Sequence, residues 1–371
     1  MRENKLLVKA KPILLIVIKQ ISLILASLIF ATIFLAVSNY DPFAVLKGIG
    51  KAMTSDMAGT IRWATPLILA GLAISITFKA KVFNLGVDGQ IYMGAAAATA
   101  VALLLPVSNG IVSLVIIFAA AMLAGAAFAM IPALLKVFFN TDEVVSTLLL
   151  NFIAVLYIEY LVAGPLRDET VVTKLNASQV LPEWTWLPRL EMFSPSATNV
   201  GIYMAIIGAG LIAFVFYKTK LGHEIKIVGE NPTLATYSGM RPKSITISVM
   251  AISGAIAGVI GAIEVTAVQH RLITGFNPGF GFDGIVVSLL ANNNPIGVVF
   301  SGIFFGGLKN AGINMERMTE VPSAVTEIIM AIIILTISAQ IVVPKVLKQF
   351  KLHKLREANF IEKDKVRGGM Q

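Results

Sequence analysis

The sequence contains no cysteine. Disulfides, thiolate metal sites and cysteine nucleophiles are therefore excluded. Charge is scarce, with Asp, Glu, Lys and Arg making up 14% of 371 residues, against about a quarter in an ordinary soluble domain. Histidine is scarcer still. His223, His270 and His353 lie far apart in loops or tail, a pattern that supports neither a zinc site nor a histidine-based triad. No G-x-x-x-x-G-K-[ST] occurs, so the chain carries no P-loop, and no H-E-x-x-H occurs. A catalytic centre needs convergent titratable groups, and few are on offer. No period of 20–50 residues marks a solenoid.

Apolar residues are what the chain has in quantity. They make up 56% of it, and the mean hydropathy is +0.81. So much apolar surface does not fit one aqueous core and calls for lipid as solvent. Ile13 to Val37 is too long for the 7–15-residue core of a secretory signal and reads as a retained span. Further runs of the roughly 20 residues that a crossing helix needs cover 64–80, 82–105, 111–136, 144–163, 199–217, 245–268 and 323–343. Two shorter segments, 283–292 and 295–309, are broken by Asn292, Asn293, Asn294 and Pro295. The expected fold is an all-α polytopic transmembrane bundle with broken helices. It has nine or ten crossings, depending on whether one short segment re-enters.

Charge placement favours about ten. The net charge of +9 is concentrated at the two ends. Arg2, Lys5, Lys9 and Lys11 precede the first span, Lys19 stands near its start, and Lys345, Lys348, Lys351, Lys354, Arg356, Lys363, Lys365 and Arg367 follow the last. Basic flanks stay on the cytoplasmic side, and two cytoplasmic ends require an even number of crossings. The same pattern argues against nucleic acid as the partner. The expected division is a basic arm at 1–12, a membrane domain at 13–343 and a basic tail at 344–371. Loop 164–198 is slightly acidic, carries Trp184 and Trp186, and reads as external. Loop 218–244 holds Lys218, Lys220, Lys226, Arg241 and Lys243 and reads as cytoplasmic. Lys47, Lys51 and Arg62 fall in the first external loop as a mild exception. Gly254/Gly258 and Gly302/Gly306 form G-x-x-x-G pairs, most simply read as helix-packing surfaces.

Four places carry polar residues where lipid makes them costly. In KAKVFNLGVDGQIYMG, Asn84, Asp88 and Gln90 sit with Gly86 and Gly89 between two spans. This is either a broken helix lining a path or a cytoplasmic turn. In TKLGHEIKIVGENPTLATYSGMR, Gly229, Asn231 and Pro232 form a turn that starts a short helix over 233–238, with Gly239 as its stop. A short helix bearing small residues suits docking in a groove of a cytosolic partner. Glu264 lies deep in an apolar run, followed by Gln269, Asp283 and Asn292 to Asn294. It either pairs within the bundle or faces a polar path. GFNPGFGFDG before Asp283 reads as the start of a half-helix, a natural ligand site at membrane depth. Asn151 and Glu159, eight positions apart, share roughly one face of the fifth span.

These segments together resemble a known family. FNLGVDGQIYMGA is similar to the FNIGxEGQ motif of permeases in the sugar and nucleoside branch of ABC importers, with Asp88 where glutamate is more usual. LGHEIKIVGENPTLATYSGM resembles their cytoplasmic segment. GAIAGVIGAIEV and GFNPGFGFDGIVVSLLANNNPIGVVFSGIFFGGL resemble the nucleoside version of their C-terminal half. The blocks cover about 64–310. The resemblance implies a multi-pass permease of the plasma membrane, without ATPase activity or cofactor of its own. It would work with an ATP-binding subunit, a second permease (identical or homologous) and an extracytoplasmic substrate-binding lipoprotein. It implies that 222–240 couples to the ATPase, on Gly222, Gly229, Glu230, Asn231, Pro232, Ala235, Ser238 and Gly239. Nucleosides are the expected cargo, over ribose-like sugars. Asn84, Asp88, Gln90, Asn151, Glu264, Gln269, Asp283 and Asn293 are the polar candidates for the path, with rings from Phe83, Tyr92 and Phe282. An ion-coupled secondary carrier, with Glu264 and Asp88 as ion or proton sites, is the competing reading.

Overall fold

In the computed structural model, the described residues run from 29 to 336, apart from 31, 39, 106–108, 169–175, 195, 319–323, 326, 330 and 333–334. Two compact units are distinguished, Lys47–Ser323 and a second built from Met1–Leu46 with Ala324–Gln371. In the second, residues 32–37 are helical. The expected arm and tail, and most of the spans 13–37 and 323–343, lie outside the described residues. The helices are α1 (Pro42–Ser55), α2 (Met57–Lys79), α3 (Val87–Leu104), α4 (Gly110–Phe139), α5 (Glu143–Ala163), α6 (Gly201–Lys218), α7 (Lys220–Glu230), α8 (Pro232–Tyr237), α9 (Pro242–Ile263), α10 (Phe280–Leu290) and α11 (Pro295–Met318). Only isolated bridges, and no strands, occur among the described residues. Among the described residues, seven helices are long and apolar enough to cross a membrane: α2, α3, α4, α5, α6, α11 and α9 with its continuation to Gln269.

Helix starts follow from short polar side chains. Asp56 caps α2 by accepting from the Gly59 amide, Asn109 caps α4 and Asp142 caps α5. The centre is α2 and α9, each buried over most of its length. Around them α4, α5 and α6 expose large apolar side chains such as Leu123, Phe152, Leu156, Leu211 and Phe214, the surface expected of helices whose solvent is lipid. Gly254 and Gly258 let α9 lie against α4. A Cβ on Gly258 would sit 2.1 Å from the Ala121 carbonyl oxygen, and one on Gly254 would sit 2.3 Å from that of Gly125. The second pair sets α11 on α2, Gly306 meeting Ala64 and Gly302 meeting Ile68. Both G-x-x-x-G pairs are therefore packing devices, as their spacing implied.

Segment 283–292 does not cross. Helix α10 has 11 residues, about 16 Å at 1.5 Å per residue, against about 30 Å of hydrocarbon. Asn292 (φ 52°) and Asn293 (φ 54°) reverse the chain. Asn294 then caps α11, its Oδ1 accepting from the Ile296 amide at 3.0 Å. Gly284 of α10 lies on Ala70, and Val298 of α11 approaches Gly71. The two helices thus meet α2 at one level, as a hairpin with an asparagine tip.

Two further expectations change. Arg62 is not in a loop; it stands in the second turn of α2. Segment 218–244 holds two helices rather than one, because α7 precedes the expected short helix. Thr219 Oγ1 caps α7 from the Gly222 amide at 3.2 Å. The glycines that weaken its helical signal are there for close approach. A Cβ on Gly222 would meet the Val215 carbonyl at 2.1 Å, and one on Gly229 that of Lys79 at 2.0 Å.

Within the 164–198 segment, residues 176–190 fold back onto the end of α9. Ser178, Leu181 and Leu187 amides donate to the carbonyls of Leu272, His270 and Thr266. The His270 ring stacks on Trp186 with centroids 3.9 Å apart. Its Nε2 lies 3.1 Å from Arg189 Nη2, and its Nδ1 lies 3.1 Å from the Thr266 carbonyl. Since Arg189 only donates, Nε2 accepts and Nδ1 carries the proton. Burial and then the Arg189 charge hold the His270 pKa below its usual value, with the Thr266 bond opposing them. A depressed folded-state pKa means stability that is fully present above about pH 6.5 and is lost as pH falls through the folded value. Acidification from pH 7.5 to 5 is therefore expected to raise hydrogen exchange at Leu181 and Leu187, and His270→Gln to remove that pH dependence.

Candidate functional site

The break between α2 and α3 is held by side chains rather than left open. Lys81 (φ 53°) ends α2, and residues 82–86 run without regular structure into α3. Asn84 and Gln90 exchange two amide hydrogen bonds of 3.0 Å. Asn84 also donates to Ser253 of α9 at 2.9 Å and accepts from the Gly86 amide at 3.1 Å. Asn151 of α5 accepts from the Gly89 amide and donates to the Leu85 carbonyl, both at 2.8 Å. Asp88 accepts from Asn277 Nδ2 at 2.7 Å and from the Gly281 amide at 2.8 Å. All four side chains are buried. They supply the partners that a broken backbone loses at membrane depth and tie α3 to α5, α9 and α10. Glu159, expected on the Asn151 face, is exposed. Eight positions at 100° each leave it about 80° round the helix.

Truncating Asp88 to alanine strands one amide and one side-chain donor. The expected cost is about 3 kcal/mol, with Asp88→Asn much milder because its carbonyl oxygen still accepts. Thermal melting in detergent checks the order.

A second cluster lies at the start of α2. Arg62 Nη2 reaches Glu264 Oε2 at 2.9 Å, with the Glu264 side chain 1% exposed. Glu264 thus pairs within the bundle. Lys309 Nζ reaches Asp283 Oδ2 at 2.5 Å. Aromatic rings separate the pairs. The Arg62 guanidinium stands 4.3 Å from the Trp63 ring centre, and Lys309 Nζ is 5.6 Å from that of Phe280. Above them Asp56 Oδ2 accepts from Asn310 Nδ2 and Asn314 Nδ2, each at 3.1 Å. A cavity of about 570 Å³ opens here, lined by Asp56, Arg62, Trp63, Phe193, Asn310 and Asn314 among others. Of the sequence candidates, only Glu264 and Asp283 touch this cluster. Lys309 and Asn310, a polar pair inside the apolar run of α11, were the available signal for it.

The other candidates are dispersed. Asn293 is at the hairpin tip, accepting from Ser288 Oγ at 2.8 Å. Gln269 closes the π-turn after α9. Tyr92 is buried edge-on to Phe276, while Phe83 and Phe282 are half-exposed. Among the described residues, no three His, Cys, Asp or Glu side chains gather as a metal site.

The third feature is the face made by α7 and α8. Asn231 caps α8 by accepting from the Leu234 amide at 3.0 Å, Pro232 takes its first position, and Ser238 ends it before Gly239 at φ 77°. Ala235 is buried against the bundle, whereas Leu234 and Tyr237 are 55% and 87% exposed. Glu230, Asn231, Pro232 and Ser238 are exposed beside them. A groove of about 950 Å³ separates α8 from the end of α4 at Val137 and Phe138 and from the start of α9. Gly229 backs directly on the last carbonyl of α2, so α7, from which α8 continues, rests on the helix that carries Arg62 and Trp63.

Known proteins resemble this chain over most of its length. Residues 57–338 match the family described as branched-chain amino acid transport system, permease component. The guanosine ABC transporter permease protein NupP of Bacillus subtilis is 33% identical over 88% of this chain and 94% of its own length. The glucose ABC transporter permease protein TsgB13 of Haloferax volcanii is 35% identical over 84% of each. The nucleoside ABC transporter permease protein NupB of Lactococcus lactis is 27% identical over 92% of this chain and 96% of its own length. No solved structure matches significantly. With these matches spanning the break, the hairpin and the α7–α8 face alike, the chain belongs to the ABC transporter permease family as a multi-pass protein of the cell membrane.

Proposed function

We propose that this chain is the membrane-spanning subunit of an ATP-driven importer and forms part of the path by which nucleosides cross the cell membrane. The observation that carries the reading is the exposed α8 on its glycine-packed base, in a chain with no P-loop. Apolar side chains presented to water by a short capped helix are a docking surface. The occupant is a separate ATP-binding subunit, where hydrolysis takes place. A second permease completes the path, and an extracytoplasmic binding lipoprotein delivers the solute. Motion of α8 is transmitted through Gly222 and Gly229 to α6 and to the end of α2. The tied break at Asn84, Asp88, Gln90 and Asn151 then obliges α3, α5 and α9 to follow. Glu264, Gln269, Phe282, Asp283 and Asn293 remain the proposed contributors to the path beyond that break. The basic arm at 1–12 and tail at 344–371 flank the membrane domain on the cytoplasmic side, as does the 218–244 loop, with 164–198 outside; the α10–α11 hairpin, both arms of which run between the levels of Trp63 and Gly71, enters and leaves on one side and keeps the number of crossings even.

Nucleosides are preferred because the C-terminal blocks resemble the nucleoside version and two of the relatives carry guanosine or nucleoside in their names. The relative named for glucose supports simple sugars as the second reading. Deletion of the chain is expected to abolish uptake of labelled guanosine and spare glucose. Abolished glucose uptake with intact guanosine uptake would reverse the assignment. Uptake that survives loss of every ATP-binding partner would point instead to an ion-coupled carrier.

A further inference from the structure

We infer that the cavity over Arg62 and Trp63 is the subsite that receives the sugar ring of the transported solute and reads its vicinal hydroxyls. The inference rests on the proposed importer function and adds a place and a chemistry to it. Several of the cavity's side chains are already placed by bonds within the protein, so the site is built before any ligand arrives. Asp56 is fixed as the cap of α2 and holds both Asn310 and Asn314. Gly59 makes room for them, since a Cβ there would lie 2.3 Å from Asn310 Oδ1 and 2.4 Å from Asp56 Oδ2. What this leaves unused points to a ligand. Arg62 Nη1 and Glu264 Oε1 are both buried without a hydrogen-bond partner, although their sister atoms form the 2.9 Å pair. An unspent donor beside an unspent acceptor, with Glu264 almost wholly enclosed, is an arrangement that calls for a partner.

The chemistry of the lining selects among solutes. A vicinal diol both donates and accepts on adjacent atoms; Arg62, at the cavity wall with the enclosed Glu264 behind it, offers the donor for it. Asn310 and Asn314 offer further amide groups, and Trp63 and Phe193 offer apolar surface to the C–H face of a ring. The volume of about 570 Å³ falls in the range of small-molecule sites. A ribose within a nucleoside and a free hexose share this chemistry, so the test separates them.

The complete transporter, reconstituted in proteoliposomes with its ATP-binding subunits and binding protein, is assayed with labelled guanosine, 2′,3′-dideoxyguanosine and glucose. Two variants are compared with wild type at equal membrane content. Asn314→Leu removes an amide, and Ser196→Trp fills the cavity mouth from the loop. Wild type is expected to take up guanosine with a KM at least about tenfold below that of the dideoxy analogue, as a site built on hydroxyl hydrogen bonds requires. Asn314→Leu is expected to raise the guanosine KM about tenfold and leave that of the analogue little changed. Ser196→Trp is expected to raise both. An unchanged guanosine KM in both variants overturns the inference, as does an equal shift for guanosine and analogue in Asn314→Leu. If that protein fails to insert, an unchanged KM in Ser196→Trp is enough. If wild type carries glucose and not guanosine, the nucleoside reading falls, and the subsite is judged by whether the same variants raise the glucose KM.

Discussion

Gly258→Val is expected to leave almost no folded protein in the membrane. The Cβ of any residue at 258 would stand 2.1 Å from the Ala121 carbonyl oxygen and 2.7 Å from its carbon. Both belong to the backbone of α4, so no rotamer change relieves the clash. Only separation of α4 from α9 does, and that separation also exposes Gly125, Gly254 and Ala129. Overpacking of a side-chain core usually costs 1–3 kcal/mol. Against backbone the expected loss is at the top of that range or above, about 3 kcal/mol or more, a large share of a typical protein's stability. Gly210→Val is the matched control. It adds the same side chain to a membrane helix where nothing lies within 4 Å, and melting in detergent is expected to be unchanged within about 0.5 kcal/mol. Similar losses in the two variants would mean that α4 and α9 do not meet at Gly258.

The second large effect is expected at the Arg62–Glu264 pair. Removing one member strands a buried charge, at about 3–5 kcal/mol. Glu264→Ala and Arg62→Ala are each expected to melt far below wild type. The double variant Arg62→Met with Glu264→Leu replaces both charges by apolar groups of similar size and is expected to regain most of the loss. Transport is expected to stay defective in the recovered double variant, because the role inferred for the pair is towards the solute. A double variant whose loss equals the sum of the two single losses would show that the two side chains act independently.

The helix pattern is legible because lipid imposes it: the long apolar runs that lie wholly among the described residues each fall in a helix long and apolar enough to cross a membrane. The polar residues of the break were legible as well, since carboxylates and amides are conspicuous in an apolar chain. Their use was not. Asn84 with Gln90, and Asn151 with two backbone groups, serve the interrupted backbone, and sequence spacing does not say which distant carbonyl a side chain will meet. Arg62 was misplaced because an apolar-run criterion begins a helix only after its last charge, at Ala64, whereas α2 begins with its cap at Asp56. The cavity is not visible in the sequence, because Asp56, Arg62, Asn310 and Asn314 look unremarkable singly and come together only when α11 lies on α2. The asparagine triplet was read as a break, and the structure gives the reason: two left-handed residues and a cap are needed to turn α10 into α11.

The central claim is that α8 passes the work of a separate ATPase into this chain. Gly229→Asp is a poor probe, because the Lys79 carbonyl leaves no room for a side chain there. Leu234→Asp is better, since Leu234 is 55% exposed and the change spares the bundle. The decisive measurement is ATP-dependent guanosine uptake by the reconstituted transporter carrying Leu234→Asp, with membrane content and melting temperature followed in parallel. The account predicts normal insertion, a melting temperature unchanged within about 2 °C, and uptake reduced at least tenfold. Uptake at the wild-type rate, from a variant that presents aspartate where the docking surface is placed, would contradict it.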